Sequence, residues 1–477
     1  MTDDRFDREL ADRLSAYESR MPDADPPAAD APLGGPPRWP LIGFGALAAV
    51  AAVLLLAVLI RGSADKNIGD ASSSPIPSPS AGAPSEPAPT ITSGPLESGG
   101  PTPTPELTPS PPDPTVDLRW TETASFASPG TATTVSAIVR SEGGLVAVGV
   151  AYEGPLPIFG PIPPHEGRVW LSTDAVTWND VTPESAFVNA ELRHLLITSD
   201  RRIVAHGWVE DEGSALGRRP AAWESIAGRS WEEIESGFPD QAWPMSIAQG
   251  ARGYLALIVE PEAPTLAVWW SANGRSWERV RELGAEGGYW VGAGDEGFVV
   301  AGYQGAAQEP VAIASGDGRQ WVEAGTPPGI AAGVAPRSGD WLVVSREAQV
   351  VNGEPSTARV WSSADGLVWE QSGAFPLGSR TANEAPCTEW PTSLHAAGPW
   401  LIAGTVVSYP CSEGGVQTQG AQLISLDGVD WSELPFAPAS EEVGLGTRIS
   451  GAMEVDGRLV LVGDQDRVAT FWIGEQP

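Results

Sequence analysis

Six side chains in the C-terminal three quarters of the chain could form a ligand-binding pocket. They are two arginines, a histidine and three tryptophans near the starts of predicted strands: Arg193, His194, Trp243, Trp290, Trp390 and Arg448. Tryptophan offers a large apolar face with one N–H donor, and arginine offers a planar set of donors. Aromatic surfaces beside a few polar groups are typical of recognition pockets. We predict that these residues bind an anionic or polar ligand. The alternative for each tryptophan is irregular core packing.

Motifs of common catalytic machineries are missing from the sequence. It contains no P-loop and no G-x-S-x-G turn around a nucleophilic serine. The four histidines lack metal-ligand spacing, and no calcium loop is present, so we predict neither a metal nor a cofactor. His206 and His395 fall inside predicted strands, where we expect structural roles. A pair of carboxylates for glycoside cleavage stays open, because no pair stands out among 61 acidic residues.

Composition excludes several classes of protein. The 477 residues carry 61 acidic and 28 basic side chains, a net charge of −33, which argues against a general nucleic-acid binder. Two cysteines are too few for a disulfide-dense scaffold or a zinc ribbon. The contents of Gly (55), Pro (46) and Trp (20) are high, as in a β-rich domain with many turns.

A short motif recurs six times after residue 117 and must organise the elements that carry the candidate residues. Its pattern is S-x-D/N-G-x-x-W, and the copies begin at Ser172, Ser225, Ser271, Ser315, Ser363 and Ser425. The second copy has Ala227 in place of the acidic residue. Asp-Gly and Asn-Gly pairs between apolar runs favour tight hairpin turns. We expect the motif tryptophans to pack between neighbouring sheets.

Seven further hairpins precede or follow these turns, one more than the number of motifs. The unmatched outer strand is found at the start of the domain, where Trp120–Phe126 resembles the strands that follow the other motifs. The last predicted strand, residues 467–474, has no outer partner downstream. Joining the two predicts an all-β, seven-bladed β-propeller over residues 117–477, closed by its N- and C-terminal strands.

The motif resembles the Asp-box, or BNR repeat, of sialidase-like and sortilin-like propellers, whose pattern is S-x-D-x-G-x-x-W. Here the acidic residue and the glycine are adjacent, which is one residue shorter. The resemblance spans residues 120–474 and implies a propeller in which these turns lie away from any active site. It also raises sialidase chemistry: arginines on a substrate carboxylate and a tyrosine nucleophile paired with a glutamate. Four tyrosines could take that part (Tyr152, Tyr289, Tyr303 and Tyr409), but the family's F/Y-R-I-P signature is absent.

The N-terminal quarter reads as a membrane anchor and a spacer. Residues 39–60 carry no charge and lie between Arg38 and Arg61, a length that covers the ~30 Å hydrocarbon core of a bilayer. The alternative is a buried core helix. Residues 61–116 are rich in Pro, Ser and Thr, which predicts a disordered linker. We therefore expect residues 1–38 in the cytoplasm and the propeller outside the cell membrane.

Two smaller features complete the sequence-based expectations. Phe6, Leu10, Leu14, Tyr17 and Met21 share one helical face, so residues 3–21 could form a helix that docks on a cytoplasmic partner. The alternative is a weak helix that lies on the membrane or frays. Cys387 and Cys411 fall in two long loops of one blade and are expected to form a disulfide in an exported domain; the alternative is two free thiols.

Three functions remain open from the sequence. The first is an extracytoplasmic binding propeller for a protein, glycan or cell-wall ligand. The second is a sialidase-like glycoside hydrolase. The third is a transmembrane sensor whose cytoplasmic helix holds a regulator. Because function concentrates on loops carried by a rigid scaffold, we expect the site on the face that gathers the long loops.

Overall fold

The computed structural model describes residues 117–477 apart from 129, 155–162, 212–213, 215–216, 261–264, 285–286, 306, 338, 348–355, 378, 383–384, 409–416 and 438–445. The predicted docking helix, membrane span (39–60) and linker (61–116) all lie outside the described residues. Among the residues that are described, no helix is long and apolar enough to cross a bilayer.

The described chain forms seven antiparallel sheets, as the repeats predict. In the first five sheets along the chain, the first strand is innermost and the fourth outermost. The first four blades follow one another in sequence. Blade 1 holds β2 (Thr131–Ser141), β3 (Gly144–Glu153), β4 (His165–Ser172) and β5 (Asn179–Asp180). Blade 2 holds β6 (Ala190–Ile197), β7 (Ile203–Glu210), β8 (Arg218–Ser225) and β9 (Glu232–Ile234). Blade 3 holds β10 (Trp243–Gly250), β11 (Gly253–Glu260), β12 (Thr265–Ser271) and β13 (Glu278–Glu282). Blade 4 holds β14 (Gly287–Ala293), β15 (Phe298–Gln304), β16 (Glu309–Ser315) and β17 (Val322–Glu323).

The remaining blades complete the ring, and blade 6 has an extra strand. Blade 5 holds β18 (Ile330–Arg337), β19 (Asp340–Arg346), β20 (Ser356–Ser363) and β21 (Glu370–Leu377). Blade 6 holds β22 (Ser379–Ala382), β23 (Ala385–Ala397), β24 (Trp400–Ser408), β25 (Gln417–Ser425) and β26 (Ser432–Glu433). Blade 7 holds β27 (Thr447–Val455), β28 (Arg458–Gln465) and β29 (Val468–Glu475), with β1 (Arg119–Phe126) as its outer strand.

The chain closes the ring with its own two ends. Strand β1 pairs antiparallel with β29, from Arg119 opposite Glu475 to Phe126 opposite Ala469. The predicted closure and the count of seven blades are therefore confirmed. Pairing β1 with β29 covers the edge that β29 would otherwise expose.

Neighbouring blades pack face to face through buried apolar side chains. Between blades 7 and 1, for example, Trp178 stacks on Phe471 with 4.2 Å between ring centroids, and the buried Trp170 meets the same phenylalanine edge-on. The motif tryptophans thus lie where packing between blades requires them. In four copies the indole N–H also fixes the turn; Trp321, for example, donates to the Gly318 carbonyl at 3.0 Å.

Five of the six repeated turns share one hydrogen-bond pattern, and the copy at Ser225 lacks it because Ala227 replaces the acceptor. In the copy at Ser363, the serine hydroxyl donates to Asp365 Oδ1, which also accepts the backbone N–H groups of Leu367 and Val368 at 2.8 and 3.2 Å. Glycine follows the acidic residue in most copies because φ is positive there, +77° at Gly318. Ala175 occupies this position in blade 1 with φ +64°, an uncommon conformation for a residue with a Cβ.

The inner strand carries a β-bulge in six of the seven blades; these strands are β2, β6, β10, β18, β23 and β27. In blade 2, the pairing with β7 shifts between Leu192 and His194, so Arg193 is the extra residue. The next strand crosses so closely that a Cβ on Gly207 would lie 1.8 Å from the Glu191 carbonyl oxygen. Bulges re-aim neighbouring side chains and often lie beside functional sites. Blade 4 is the described blade whose inner pair shows no such shift.

Blade 6 differs from the sequence-based expectation in one segment. The sequence predicts a long loop over residues 376–391, whereas the structure has β22 and the first part of β23 paired as a short hairpin there, with Arg380 opposite Cys387. Alternation of polar and apolar residues is weak in this segment, which is why the pattern does not reveal the strands.

Candidate functional site

The inner strands present one equivalent position at the loop-bearing face, which we define as the face where blades connect to one another and where second strands lead into third strands. This position lies two residues before the bulge. It is occupied by Glu191, Trp243, Trp390 and Arg448 in blades 2, 3, 6 and 7. Three of the four were predicted from sequence. In blade 2 the sequence indicated Arg193 and His194 instead, and the structure adds Glu191.

Glu191 is the centre of a buried polar group. Its carboxylate is fully buried and accepts hydrogen bonds from the Tyr152 hydroxyl at 3.1 Å, the Trp208 indole N–H at 2.9 Å and Arg193 Nε at 3.0 Å. Arg193 Nη2 bonds the same oxygen as Nε. Arg193 is the extra residue of the bulge and lies two positions after Glu191 on the same strand. Each carboxylate oxygen therefore has a strong partner, as a buried charge requires.

Aromatic rings extend this group toward blade 3. Trp208 and Trp243 meet edge-on, with 5.3 Å between ring centroids. The guanidinium carbon of Arg218 lies 5.5 Å from the centre of the Trp208 ring and 4.9 Å from that of Trp243. Such distances allow cation–π attraction. We call the six residues Tyr152, Glu191, Arg193, Trp208, Arg218 and Trp243 the Glu191 cluster.

Electrostatics hold the Glu191 cluster in fixed charge states. Burial by itself raises the pKa of Glu191, but the charge of Arg193 and the donated hydrogen bonds outweigh it and lower the pKa to about 2. Burial and the Glu191 carboxylate raise the pKa of the Tyr152 phenol well above its usual range. At neutral pH the carboxyl is therefore ionised and the phenol is protonated.

Arg448 belongs to the same side of the ring but has its own counterion. Its Nε and Nη2 donate to Asp464 Oδ1 at 3.0 and 2.7 Å, and the Asp464 side chain is only 9% exposed. Burial raises the pKa of Asp464 even though Arg448 opposes the shift. Strands β27 and β28 of blade 7 contact β2 of blade 1, the blade that carries Tyr152.

His194 and Trp290 occupy different surroundings from those expected of ligand contacts. Burial, together with the charges of the nearby His206 and Arg193, lowers the pKa of His194 to about 3, so the ring is neutral at neutral pH. Trp290 is half-buried and packs against the apolar cluster between blades 4 and 5, which includes Val334. Blade 4 has no bulge, and Gly288 is the residue at the equivalent position of its inner strand. Trp290 lies two residues further along that strand.

Trp390 forms a second group on the far side of the ring. The guanidinium carbon of Arg346, at the end of β19, lies 3.7 Å from the centre of the Trp390 ring. The charge of Arg346 acts on the phenol of Tyr303, the last residue but one of β15 in the neighbouring blade. We call Tyr303, Arg346 and Trp390 the Arg346 cluster. It is assembled from blades 4, 5 and 6.

The axis of the ring contains a cavity of about 340 Å³. Small or apolar residues from six inner strands line it, among them Ala137, Ala248, Gly292, Val334, Leu394 and Gly451. None of the six predicted site residues lines this cavity. His395 does, and burial lowers the pKa of its imidazole to about 4, so it adds no charge there.

No group of three or more His, Cys, Asp and Glu side chains in the described ranges is arranged to hold a metal ion. Cys411 lies outside the described residues, so the predicted bond to Cys387 stays a prediction.

Sequence reasoning missed Glu191, Tyr152 and Arg346 as members of these clusters. Acidic residues are common in the chain, so a buried glutamate is not recognisable by type. A usable signal is the glycine in the second strand of several blades, such as Gly207 in β7 and Gly463 in β28. This glycine pairs with the residue immediately before the bulge of the inner strand.

Comparisons with known proteins give structural neighbours alone. No model of a protein family matches the sequence, and no curated protein matches it. The β-propeller domain of the Trilobed protease from Pyrococcus furiosus is similar, with a TM-score of 0.42 and 10% identity over 72% of this chain and 95% of that one. The α-L-arabinanase of Penicillium chrysogenum complexed with arabinobiose has a TM-score of 0.33 and 14% identity over 75% of this chain and 98% of that one. A solved glycoside hydrolase has a TM-score of 0.30 and 8% identity over 76% of this chain and 93% of that one.

Proposed function

We propose that the propeller is a binding module that recognises an extracytoplasmic protein, glycan or cell-wall ligand at its loop-bearing face. The observation that carries the proposal is the Glu191 cluster. Its buried carboxylate fixes Arg193, Trp208 and Tyr152 in place, and Arg218 and Trp243 extend the surface beside them. A rigid group of aromatic and cationic side chains on one face suits recognition of a polar ligand.

The charge states of the cluster favour binding over catalysis. A tyrosine nucleophile needs a phenol that loses its proton easily, but the pKa of Tyr152 is raised. A general acid needs a pKa near the working pH, but the pKa of Glu191 is lowered to about 2. Sialidase-like hydrolysis is therefore not favoured at this cluster, although Tyr152 and Glu191 do form a hydrogen-bonded pair.

The test is a ligand screen with the full-length chain against glycans and cell-wall fragments, followed by variants of the cluster. Trp243→Ala and Arg218→Gln are expected to weaken binding of whichever ligand is found. Arg229→Gln is the matched control, because Arg229 is exposed on a repeated turn at the opposite face. If both cluster variants bind every ligand as the unmodified chain does, the loop-bearing face near blades 2 and 3 is not the site.

The location of the module is part of the same proposal. The uncharged segment 39–60 would anchor the chain in the cell membrane, and residues 61–116 would hold the propeller away from it on the outer side. A cytoplasmic partner for residues 3–21 stays a prediction. Protease added to intact cells should digest residues 61–116 and leave residues 1–38 protected; the reverse pattern would contradict the orientation.

A further inference from the structure

Arg346 differs from Arg193 and Arg448 at the loop-bearing face in having no acidic partner among the described residues. Arg193 is neutralised by Glu191, and Arg448 by Asp464. Arg346 is half-buried, and its one hydrogen bond to the described chain is a long one, from Nη1 to the Glu347 carbonyl oxygen at 3.4 Å. No carboxylate of a described residue forms an ion pair with it.

Burial lowers the pKa of Arg346 to about 10, with only the phenol of Tyr303 acting in the opposite direction. The guanidinium stays protonated at neutral pH. A partly buried cation without a counterion is unfavourable unless a partner arrives from outside the fold.

The neighbours of Arg346 leave its donors available. Trp390 lies against one face of the guanidinium at 3.7 Å, which fixes the plane of the group without using its N–H bonds. Tyr303 is held over Gly288, where an added Cβ would lie 2.7 Å from Tyr303 Cε1. The Tyr303 hydroxyl has no hydrogen-bond partner among the described residues, so it is a second donor in the same cluster.

We propose that the Arg346 cluster binds one anionic group, a carboxylate, sulfate or phosphate, of the ligand that the propeller recognises. The planar donors of arginine match two oxygens of such a group, and the Tyr303 hydroxyl can donate to it as well. This inference rests on the proposed binding function. The net charge of −33 repels polyanions at long range, so the fitting ligand carries isolated charges on an otherwise neutral frame.

The test uses calorimetric titration of the full-length chain with four probes. Trigalacturonate carries carboxylates on a sugar frame, and its methyl ester removes only the charges. Inorganic sulfate and inorganic phosphate report a free anion site. We expect trigalacturonate to bind at least about tenfold more tightly than its ester. Arg346→Gln should reduce that affinity on the order of 10- to 100-fold, the range of a charge-assisted hydrogen bond.

Two further variants separate charge from geometry. Arg346→Lys keeps the charge but loses the planar pair of donors, so its affinity should lie between those of the unmodified chain and Arg346→Gln. Arg229→Gln removes an exposed arginine of the opposite face and should bind like the unmodified chain. Melting temperatures of all three variants show whether each remains folded.

The outcomes distinguish this inference from the proposed function. Equal binding of acid and ester, with loss of both in Trp243→Ala, keeps the binding function and overturns the anion site. Failure of the unmodified chain to bind trigalacturonate, sulfate or phosphate at ~10 mM also overturns the anion site, while a ligand found among neutral glycans would keep the proposed function. If Arg346→Gln binds trigalacturonate as tightly as the unmodified chain does, the anion site at Arg346 is overturned directly. Tight binding of sulfate or phosphate alone, lost in Arg346→Gln, supports a site for these anions rather than for a carboxylate.

Discussion

Replacing Glu191 by glutamine removes the charge at the centre of the Glu191 cluster while keeping its shape. Three donors point at this carboxylate: the Tyr152 hydroxyl, the Trp208 N–H and the Arg193 guanidinium. Glutamine can still accept one or two of these bonds. It leaves Arg193, whose side chain is only 16% exposed, without its counterion. We therefore expect Glu191→Gln to destabilise the folded state.

The size of the effect follows from the pKa of Glu191. Folding lowers this pKa from 4.5 to about 2. A difference of that size corresponds to about 3 kcal/mol of stability at pH 7. The folded pKa is the lower of the two, so this stability is fully present above about pH 4.5 and is lost as the pH falls toward 2. At pH 3 less than half of it remains.

Urea unfolding of both chains at several pH values measures this quantity. The free energy of unfolding of Glu191→Gln should be lower by about 3 kcal/mol at pH 7, and the gap should narrow by about 2 kcal/mol at pH 3. Glu232→Gln is the matched control, because Glu232 is exposed on the outer strand of the same blade. Taking the difference between variant and unmodified chain cancels the titration of the other acidic residues.

A gap that stays constant from pH 7 to pH 3 would refute the reasoning. It would mean that the Glu191 carboxyl has the same pKa in the folded and unfolded chain, and hence that Arg193 does not stabilise its charge. A loss of stability in Glu232→Gln as large as in Glu191→Gln would show that any charge removed from blade 2 has this effect.

Three further predictions concern the turns, the tryptophans and the cysteines. Gly318→Ala should lower the free energy of unfolding by about 2–5 kcal/mol, because its Cβ would lie 2.0 Å from Trp270 Cδ1 in addition to the positive φ. Gly274→Ala, whose nearest heavy atoms lie 3.5 Å away, should cost only about 1–2 kcal/mol in the same denaturation experiment. Trp321→Ala should cost about 3–5 kcal/mol, and Trp290→Ala should also lower the melting temperature, since Trp290 packs between blades; an unchanged melting temperature for Trp290→Ala would return this residue to the ligand-contact candidates. Cys387 and Cys411 should resist thiol labelling in the exported protein, and reduction should cost about 3 kcal/mol; rapid labelling of both would exclude the disulfide.

The architecture could be predicted because the repeat is a packing requirement. Each S-x-D/N-G-x-x-W copy fixes a turn and places a tryptophan between two sheets, so the same residue types recur whatever the loops contain. The outer strand of the last blade was identified by the same logic, from the likeness of Trp120–Phe126 to the other outer strands. The hairpin of β22 and β23 escaped because no repeated residue marks it.

The candidate site was predicted only in part because its members are related by register and not by residue type. Glu191, Trp243, Trp390 and Arg448 share a backbone position, although one is acidic, two are aromatic and one is basic. Placing them in one set requires knowing where each bulge falls. The spacing between repeated turns varies with loop length, so the sequence does not show that Glu191 and not His194 takes this position in blade 2.

Strand register also explains why Arg448, which was predicted from sequence, has a counterion and why Arg346, which was not, has none among the described residues. Arg448 precedes a bulge and faces Asp464 on the adjacent strand, which neutralises it. Arg346 occupies on β19 the place that Asp464 has on β28, and the residue it faces across the strand pair is Ile330. An isoleucine cannot balance a charge, so Arg346 turns to Trp390 of the next blade and keeps its donors free. Arg448 has its counterion on the adjacent strand, whereas the cross-strand neighbour of Arg346 is apolar. The anionic group of a ligand could supply the counterion that Arg346 lacks.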